Sequence, residues 1–126
     1  GGAIDAGETA IAAALREAHE ELGIDPASVR IVGESDSLST YSGYTITPVL
    51  SVVPAELEIR PNPVEVAQWF EAPANFVFDP ANHVLKRVNW DGEERCYYEI
   101  VWQEHRIWGI TAALIVNLSR RLNWND

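Results

Sequence analysis

Residues 9 to 23 restrict the backbone more than any other part of this sequence. The run TAIAAALREAHEEL has Thr9 or the acidic Glu8 at its start and Gly23 just past its end, the order of signals that opens and closes a helix. At about 100° per residue, Ile11, Leu15, Ala18 and Leu22 fall on one stripe, and Glu17, Glu20 and Glu21 fall within an arc of roughly 100° nearly opposite. Thr9 to Leu22 therefore reads as an amphipathic helix whose polar face is made of carboxylates.

Carboxylates spaced i, i+3 and i+4 repel one another by a few tenths of a kcal/mol per pair, so something positive should offset them. Arg16, four residues before Glu20, can neutralise part of this charge. A divalent cation would do more, and hard oxygen donors suit Mg²⁺ or Mn²⁺. The loop before the helix carries Gly1-Gly2 and Gly7, which permit backbone conformations closed to other residues. Such a loop can fold back over the helix start and aim a carbonyl at the ion.

The whole run is Gly2, five residues, Glu8, seven residues, then Arg16-Glu17-Ala18-His19-Glu20-Glu21-Leu22-Gly23-Ile24. It matches without a gap the pattern G-x5-E-x7-R-E-U-x-E-E-x-G-U (U aliphatic or small apolar) and so resembles the box of Nudix hydrolases. That resemblance implies metal-dependent attack of water on a phosphorus of a diphosphate. It makes Glu17 and Glu21 the first choices as metal ligands, followed by Glu20, with the Gly1 carbonyl as a backbone ligand. Arg16 is expected to orient a carboxylate such as Glu8. The general base is Glu20 or Glu65, the latter in the segment Asn62-Pro63-Val64-Glu65-Val66. His105 has a suitable intrinsic pKa but reads more simply as a solvated loop histidine. His19 reads as surface or packing, and His83 has no partner legible from sequence.

The bulk properties exclude several classes. With 126 residues, 47% of them apolar, the chain is expected to form one domain, residues 1–126, with a modest core. A formal net charge of −10 argues against non-specific binding to nucleic acid or anionic membranes, and means an anionic substrate is repelled unless metal ions neutralise the site. Cys96 is the single cysteine, which rules out an intrachain disulfide and suits a cytoplasmic protein. No apolar run approaches the ~20 residues of a membrane span, and no signal peptide is visible. The sequence opens inside the motif without an initiating Met, so Gly1-Gly2 reads as native sequence whose upstream residues are missing.

Further along, Asp25-Pro26 starts a turn and Val29 to Glu34 reads as a strand. Tyr44 to Val53 is β-rich, with Pro48 marking an edge, a bulge or a break. Pro54 to Pro63 is an extended loop, Val64 to Glu71 a short strand, and Pro73 to Asn82 a loop or helical turn. Tyr97 to Trp102 and Arg106 to Trp108 form a hairpin around Gln103-Glu104-His105. Thr111 to Leu122 is a second helix, with Ile110, Leu114, Ile115, Leu118 and Leu122 at helical spacing and Thr111 near its start, a candidate cap. This is an α/β pattern. The family resemblance implies an α/β/α sandwich around a mixed sheet, with the N-terminal strand missing from this sequence, which should then be a fragment or expose a raw sheet edge.

Three later segments narrow the resemblance. Ile107-Trp108-Gly109-Ile110-Thr111-Ala112, Ser42-Gly43-Tyr44-Thr45-Ile46-Thr47-Pro48-Val49 and Asn62-Pro63-Val64-Glu65-Val66 look like stretches of coenzyme A pyrophosphatases, which release 3′,5′-ADP and a 4′-phosphopantetheine product. Trp108-Gly109 also reads as packing and helix entry geometry. If coenzyme A is the substrate, a basic group should read its 3′-phosphate, and the visible candidates are Arg60, Lys86, Arg87, Arg95 and Arg106. The rivals are other diphosphates (ADP-ribose, NADH, a dNTP) and a non-catalytic nucleotide-binding module, against which stands the presence of Glu8, Glu17, Glu20 and Glu21 together. The expected partner is a small-molecule diphosphate, bound by a monomer or homodimer.

Overall fold

The computed structural model describes residues 1–40 and 42–124. The chain divides into two compact units, one formed by Gly1–Ser39 and Thr45–Trp69, the other by Thr40–Tyr44 and Phe70–Asp126.

In the first unit, helix α1 spans Ala10–Leu22. Thr9, with extended backbone, is its N-cap, and the Thr9 hydroxyl accepts from the Ala12 N–H at 3.1 Å. Gly23 closes the helix in the left-handed conformation at φ 67°; its N–H donates to the His19 carbonyl, the bond of an αL cap, and Ile24 N–H donates to the Ala18 carbonyl. Of the helix side chains only Ala13 is fully buried. Pro26–Ser28 forms a 3₁₀ turn capped by Asp25, as Asp25-Pro26 leads one to expect.

Strand β1 (Arg30–Glu34) pairs antiparallel with β4 (Val49–Val52), with Val32 bulged out of the ladder. Between them lie β2 (Leu38–Ser39) and β3 (Thr45–Ile46), a two-residue ladder. The expected strand over Tyr44 to Val53 is thus broken at Thr47-Pro48. Pro48 has no N–H to continue a ladder, though its carbonyl still accepts from Ser35 N–H at 3.0 Å.

The strand expected over Val64 to Glu71 does not form. Asn62-Pro63 starts a turn instead: the Asn62 side chain accepts from Val64 N–H, and the Asn62 carbonyl accepts from Glu65 and Val66 N–H. Local side-chain-to-backbone bonding overrides the β-branched alternation, and Val64 is left 90% exposed. Glu65 therefore sits on a turn.

The second unit is an antiparallel meander packed on helices. Helix α2 (Ala74–Val77) and a 3₁₀ turn (Pro80–Asn82) precede strands β5 (Val84–Trp90), β6 (Glu93–Trp102) and β7 (His105–Trp108), ordered β5-β6-β7; helix α3 follows at Gly109–Arg121. The expected hairpin around Gln103-Glu104 is present, with His105 already in β7. Strand β5 has no counterpart in the sequence reading. Its signal was the turn Asp91-Gly92, with φ 54° and 80°, a pair suited to a tight hairpin.

Helix α3 packs on β6 and β7 through Ala112, Val116 and Ser119, which are all buried, and through Ile115. The expected apolar stripe is only partly used, since Ile110 and Leu122 stay exposed. The core of this unit is Val77, Ile100 and Ala112. Ser119 meets its hydrogen-bonding need by donating to the Phe78 carbonyl at 2.5 Å. Thr111 does not cap α3: the N-cap is Trp108, without a side-chain bond, and Gly109 opens the helix at φ 64°. Helices and sheets establish the α/β class; every pairing among the described residues is antiparallel. No helix among them is long and apolar enough to cross a membrane.

Candidate functional site

The site is built where the loop of residues 1–8 meets α1. Asp5 to Glu8 is a turn with Gly7 at φ 80°, closed reciprocally: Glu8 N–H donates to the Asp5 carbonyl at 3.0 Å, and Asp5 N–H donates to the Glu8 carboxylate at 2.9 Å. This fixes Glu8 beside the second turn of the helix, within reach of Arg16.

Arg16 is the hub. Its Nε and Nη2 bond both oxygens of Glu8, at 2.8 and 3.0 Å, a bidentate pair. Nη2 also donates to the Ala3 carbonyl at 3.0 Å, and Nη1 reaches Glu17 at 3.1 Å and Glu20 at 3.4 Å. Asp5 adds an ion pair at 3.4 Å. The Glu8 carboxyl is held down to about pKa 2, first by the hydrogen bond from Arg16 and then by the Asp5 N–H; the same pair pushes the Arg16 guanidinium up. Arg16, expected from the sequence to orient a carboxylate such as Glu8, is hydrogen-bonded to Glu8 in this structure. The roles of Asp5 and Ala3 were not foreseen, because neither belongs to the helical pattern.

One guanidinium faces four carboxylates (Asp5, Glu8, Glu17 and Glu20), which leaves three negative charges unbalanced. Glu21 accepts from the Gly1 backbone nitrogen at 2.7 Å. Gly1 and Gly2 both lie against the carboxylate face: a Cβ on Gly2 would be driven into the Glu17 carboxylate, so only glycine lets the backbone pass there with Glu17 in this position. Glu17 is the more shielded ligand candidate, at 16% side-chain exposure, and Glu20 the more open, at 46%. The donors are hard oxygens of the kind Mg²⁺ and Mn²⁺ select, and their surplus charge fits a divalent ion. As they stand, they are drawn to Arg16 and Gly1, and no cluster of three or more metal-type side chains closes among the described residues.

The other candidates fall elsewhere. Glu65 is exposed on the turn that follows Asn62. His19 is exposed in the last turn of α1. His83, for which no partner was foreseen, lies 2.7 Å from the Val77 carbonyl through Nε2. His105 is stacked against Phe70, ring centres 4.1 Å apart, and is thus not the solvated loop histidine that the sequence suggests. The basic candidates all face carboxylates: Arg60 with Glu58, Lys86 and Arg106 with Glu99, Arg87 with Glu94, Arg95 with Glu93. Trp108 is 57% exposed, with the Arg106 guanidinium 4.7 Å over its ring, so it is not a core residue.

Comparison with known proteins agrees with this architecture. The NUDIX domain model matches residues 1–93. Among similar proteins, an uncharacterized Nudix hydrolase NudL from Photorhabdus laumondii is 35% identical over 112 residues, covering 89% of this chain and 60% of that protein. One of the same name from Escherichia fergusonii is 36% identical over 125 residues (97% of this chain, 64% of that protein), and one from Pectobacterium atrosepticum is 33% identical over 124 residues (98% and 65%). The chain therefore spans somewhat under two thirds of the length of these curated relatives. With most of its length matched, including the loop, the Arg16 hub and the carboxylate helix, the chain belongs to the NUDIX domain family.

Proposed function

We propose that this chain carries the catalytic centre of a pyrophosphohydrolase that cleaves the diphosphate of a nucleoside diphosphate derivative, with coenzyme A or an acyl-coenzyme A as the favoured substrate. The observation that carries this reading is the unbalanced negative charge around Arg16. Folding has gathered more carboxylates around Arg16 than it neutralises, Asp5 and Glu8 from the loop and Glu17 and Glu20 from the helix whose spacing matches a diphosphate-cleaving family. Glu17 and Glu21 would hold a divalent ion, with Glu20 and the Gly1 carbonyl completing its shell. Bound there, Mg²⁺ or Mn²⁺ supplies charge to polarise the phosphoryl oxygens and lower the pKa of water. Arg16 and Glu8 hold the loop and Glu17 in register, and Glu20 or Glu65 takes the proton of the attacking water. Residues 1–126 act as one domain in this reading, since the family match runs through sequence of both compact units.

The choice of coenzyme A rests on the segment Ile107 to Ala112 and its companions. Within it, Ala112 is buried and Ile107 packs against the same core, which accounts for them as structure. Trp108, Ile110 and Thr111 are exposed, and Trp108 is the largest of these side chains open to a ligand. Any 3′-phosphate reader among the five basic candidates would bind the phosphate beside or in place of a carboxylate partner.

The test is a substrate panel (coenzyme A, its 3′-dephospho form, ADP-ribose, NADH and dNTPs) with Mg²⁺ or Mn²⁺, products resolved by mass, on wild type and on Glu17→Gln and Glu21→Gln. The expected result is release of 3′,5′-ADP from coenzyme A, with turnover largely lost in both variants while melting temperature holds. Wild-type rates in both variants would refute the ligand assignments. Equal kcat/KM for coenzyme A and its dephospho form, or faster cleavage of a dNTP, would leave only the broader diphosphate reading.

A further inference from the structure

We propose that Asn62 is a positioning residue, which straps the segment Arg60–Val66 onto the C-terminal end of α1 and so fixes Glu65 relative to the carboxylates of that helix. The argument starts from the helix end. The last four carbonyls of any α-helix lack intrahelical partners. In α1, those of His19 and, one residue earlier, Ala18 accept from Gly23 and Ile24, whereas those of Glu21 and Leu22 accept from outside, from Asn62 and Arg60 N–H, each at 2.8 Å. Arg60 and Asn62 are two apart, the spacing at which an extended chain turns its N–H groups to the same side.

Asn62 then turns the chain back. Its backbone N–H is committed to Glu21, its side-chain oxygen accepts from Val64 N–H at 3.1 Å, and its carbonyl accepts from Glu65 N–H at 3.1 Å and Val66 N–H at 2.8 Å. Pro63, without an N–H, leaves the Asn62 side chain to bridge to Val64. Two hydrogen bonds in series thus connect the Glu21 backbone, through Asn62, to the backbone of Glu65. Gly23 admits the strap: a Cβ there would lie 2.9 Å from the Arg60 Cβ and 3.1 Å from the Arg60 carbonyl oxygen. The glycine that ends the helix therefore also leaves room for the strand of backbone that covers that end.

This inference rests on the proposed hydrolysis for its kinetic readout but has a structural readout of its own. Asn62→Ala removes the acceptor of Val64 N–H, while Asn62→Asp keeps one. With the best diphosphate from the substrate panel and Mn²⁺, Asn62→Ala should lower kcat about tenfold, the scale of a misplaced catalytic group, with KM within about twofold, and Asn62→Asp should recover most of the loss. In parallel, amide exchange at Glu65 and Val66 should accelerate severalfold in Asn62→Ala, and exchange at Arg60 and Asn62 should accelerate in Gly23→Ala. If wild type cleaves no diphosphate, the proposed activity falls and the exchange data alone judge the strap. Unchanged exchange at Glu65 and Val66 in Asn62→Ala, or Ala and Asp variants equally impaired in kcat, overturns the assignment.

Discussion

Arg16 shows how much a single side chain can organise. Its fork holds Glu8 from two sides while its remaining donors reach the Ala3 carbonyl, Glu17 and Glu20. Lysine has a point charge and no fork, so Arg16→Lys should lower kcat by roughly 10²-fold although the charge is unchanged; steady-state kinetics beside a melting curve separates misplacement from unfolding. The pH dependence follows from Glu8. Its folded pKa, about 2, lies below its ordinary value of 4.5, so ionised Glu8 contributes stability that is present above pH 4.5 and lost as pH falls toward 2. Wild type should therefore exceed Glu8→Gln in stability at neutral pH, and the gap should close across that window in denaturant titrations at stepped pH. Arg16 and Glu8 were legible in the sequence because their spacing matches a known pattern. Asp5 and Asn62 were not, since each acts through a turn, Asp5 with Glu8 and Arg16 and Asn62 with the N–H groups of Val64, Glu65 and Val66, outside the helical pattern.

At the scale of elements, what the sequence showed tracks how locally each element is determined. Helix α1 was found nearly to the residue because its caps, Thr9 and Gly23, lie in its own sequence. Thr9→Ala should lower stability by about 1 kcal/mol through loss of the bond to Ala12 N–H, measured by denaturant unfolding. Strand β5 went unread because all its residues are exposed, so the sequence has no buried face to mark it. Val64 to Glu71 was misread for the converse reason: it has apolar alternation, but Asn62-Pro63 spends the backbone hydrogen bonds on a turn. The packing of α3 through Ala112, Val116 and Ser119 was missed because a small-residue stripe scores weakly beside Leu and Ile. The large side chain most enclosed by this packing is Ile100, at 0% exposure, and Ile100→Ala should cost about 2–5 kcal/mol in the same assay.

At the scale of the whole chain, residues 1–126 carry a formal net charge of −10 yet are proposed to bind a polyanion. At low ionic strength its field should repel that substrate, and screening should weaken the repulsion as the Debye length falls from about 30 Å at 0.01 M to about 10 Å at 0.1 M salt. KM should therefore fall over that range at saturating Mg²⁺, the reverse of the trend for a basic nucleotide-binding protein; an initial-rate series in KCl would show it. The β5-β6 hairpin has a separate, practical consequence. Cys96, the sole cysteine of this sequence, lies exposed on β6, across from Arg87 on a strand whose every residue is exposed. A maleimide dye should couple there at one site per chain without any engineered cysteine, giving single-molecule fluorescence a native attachment point remote in sequence from the carboxylate helix.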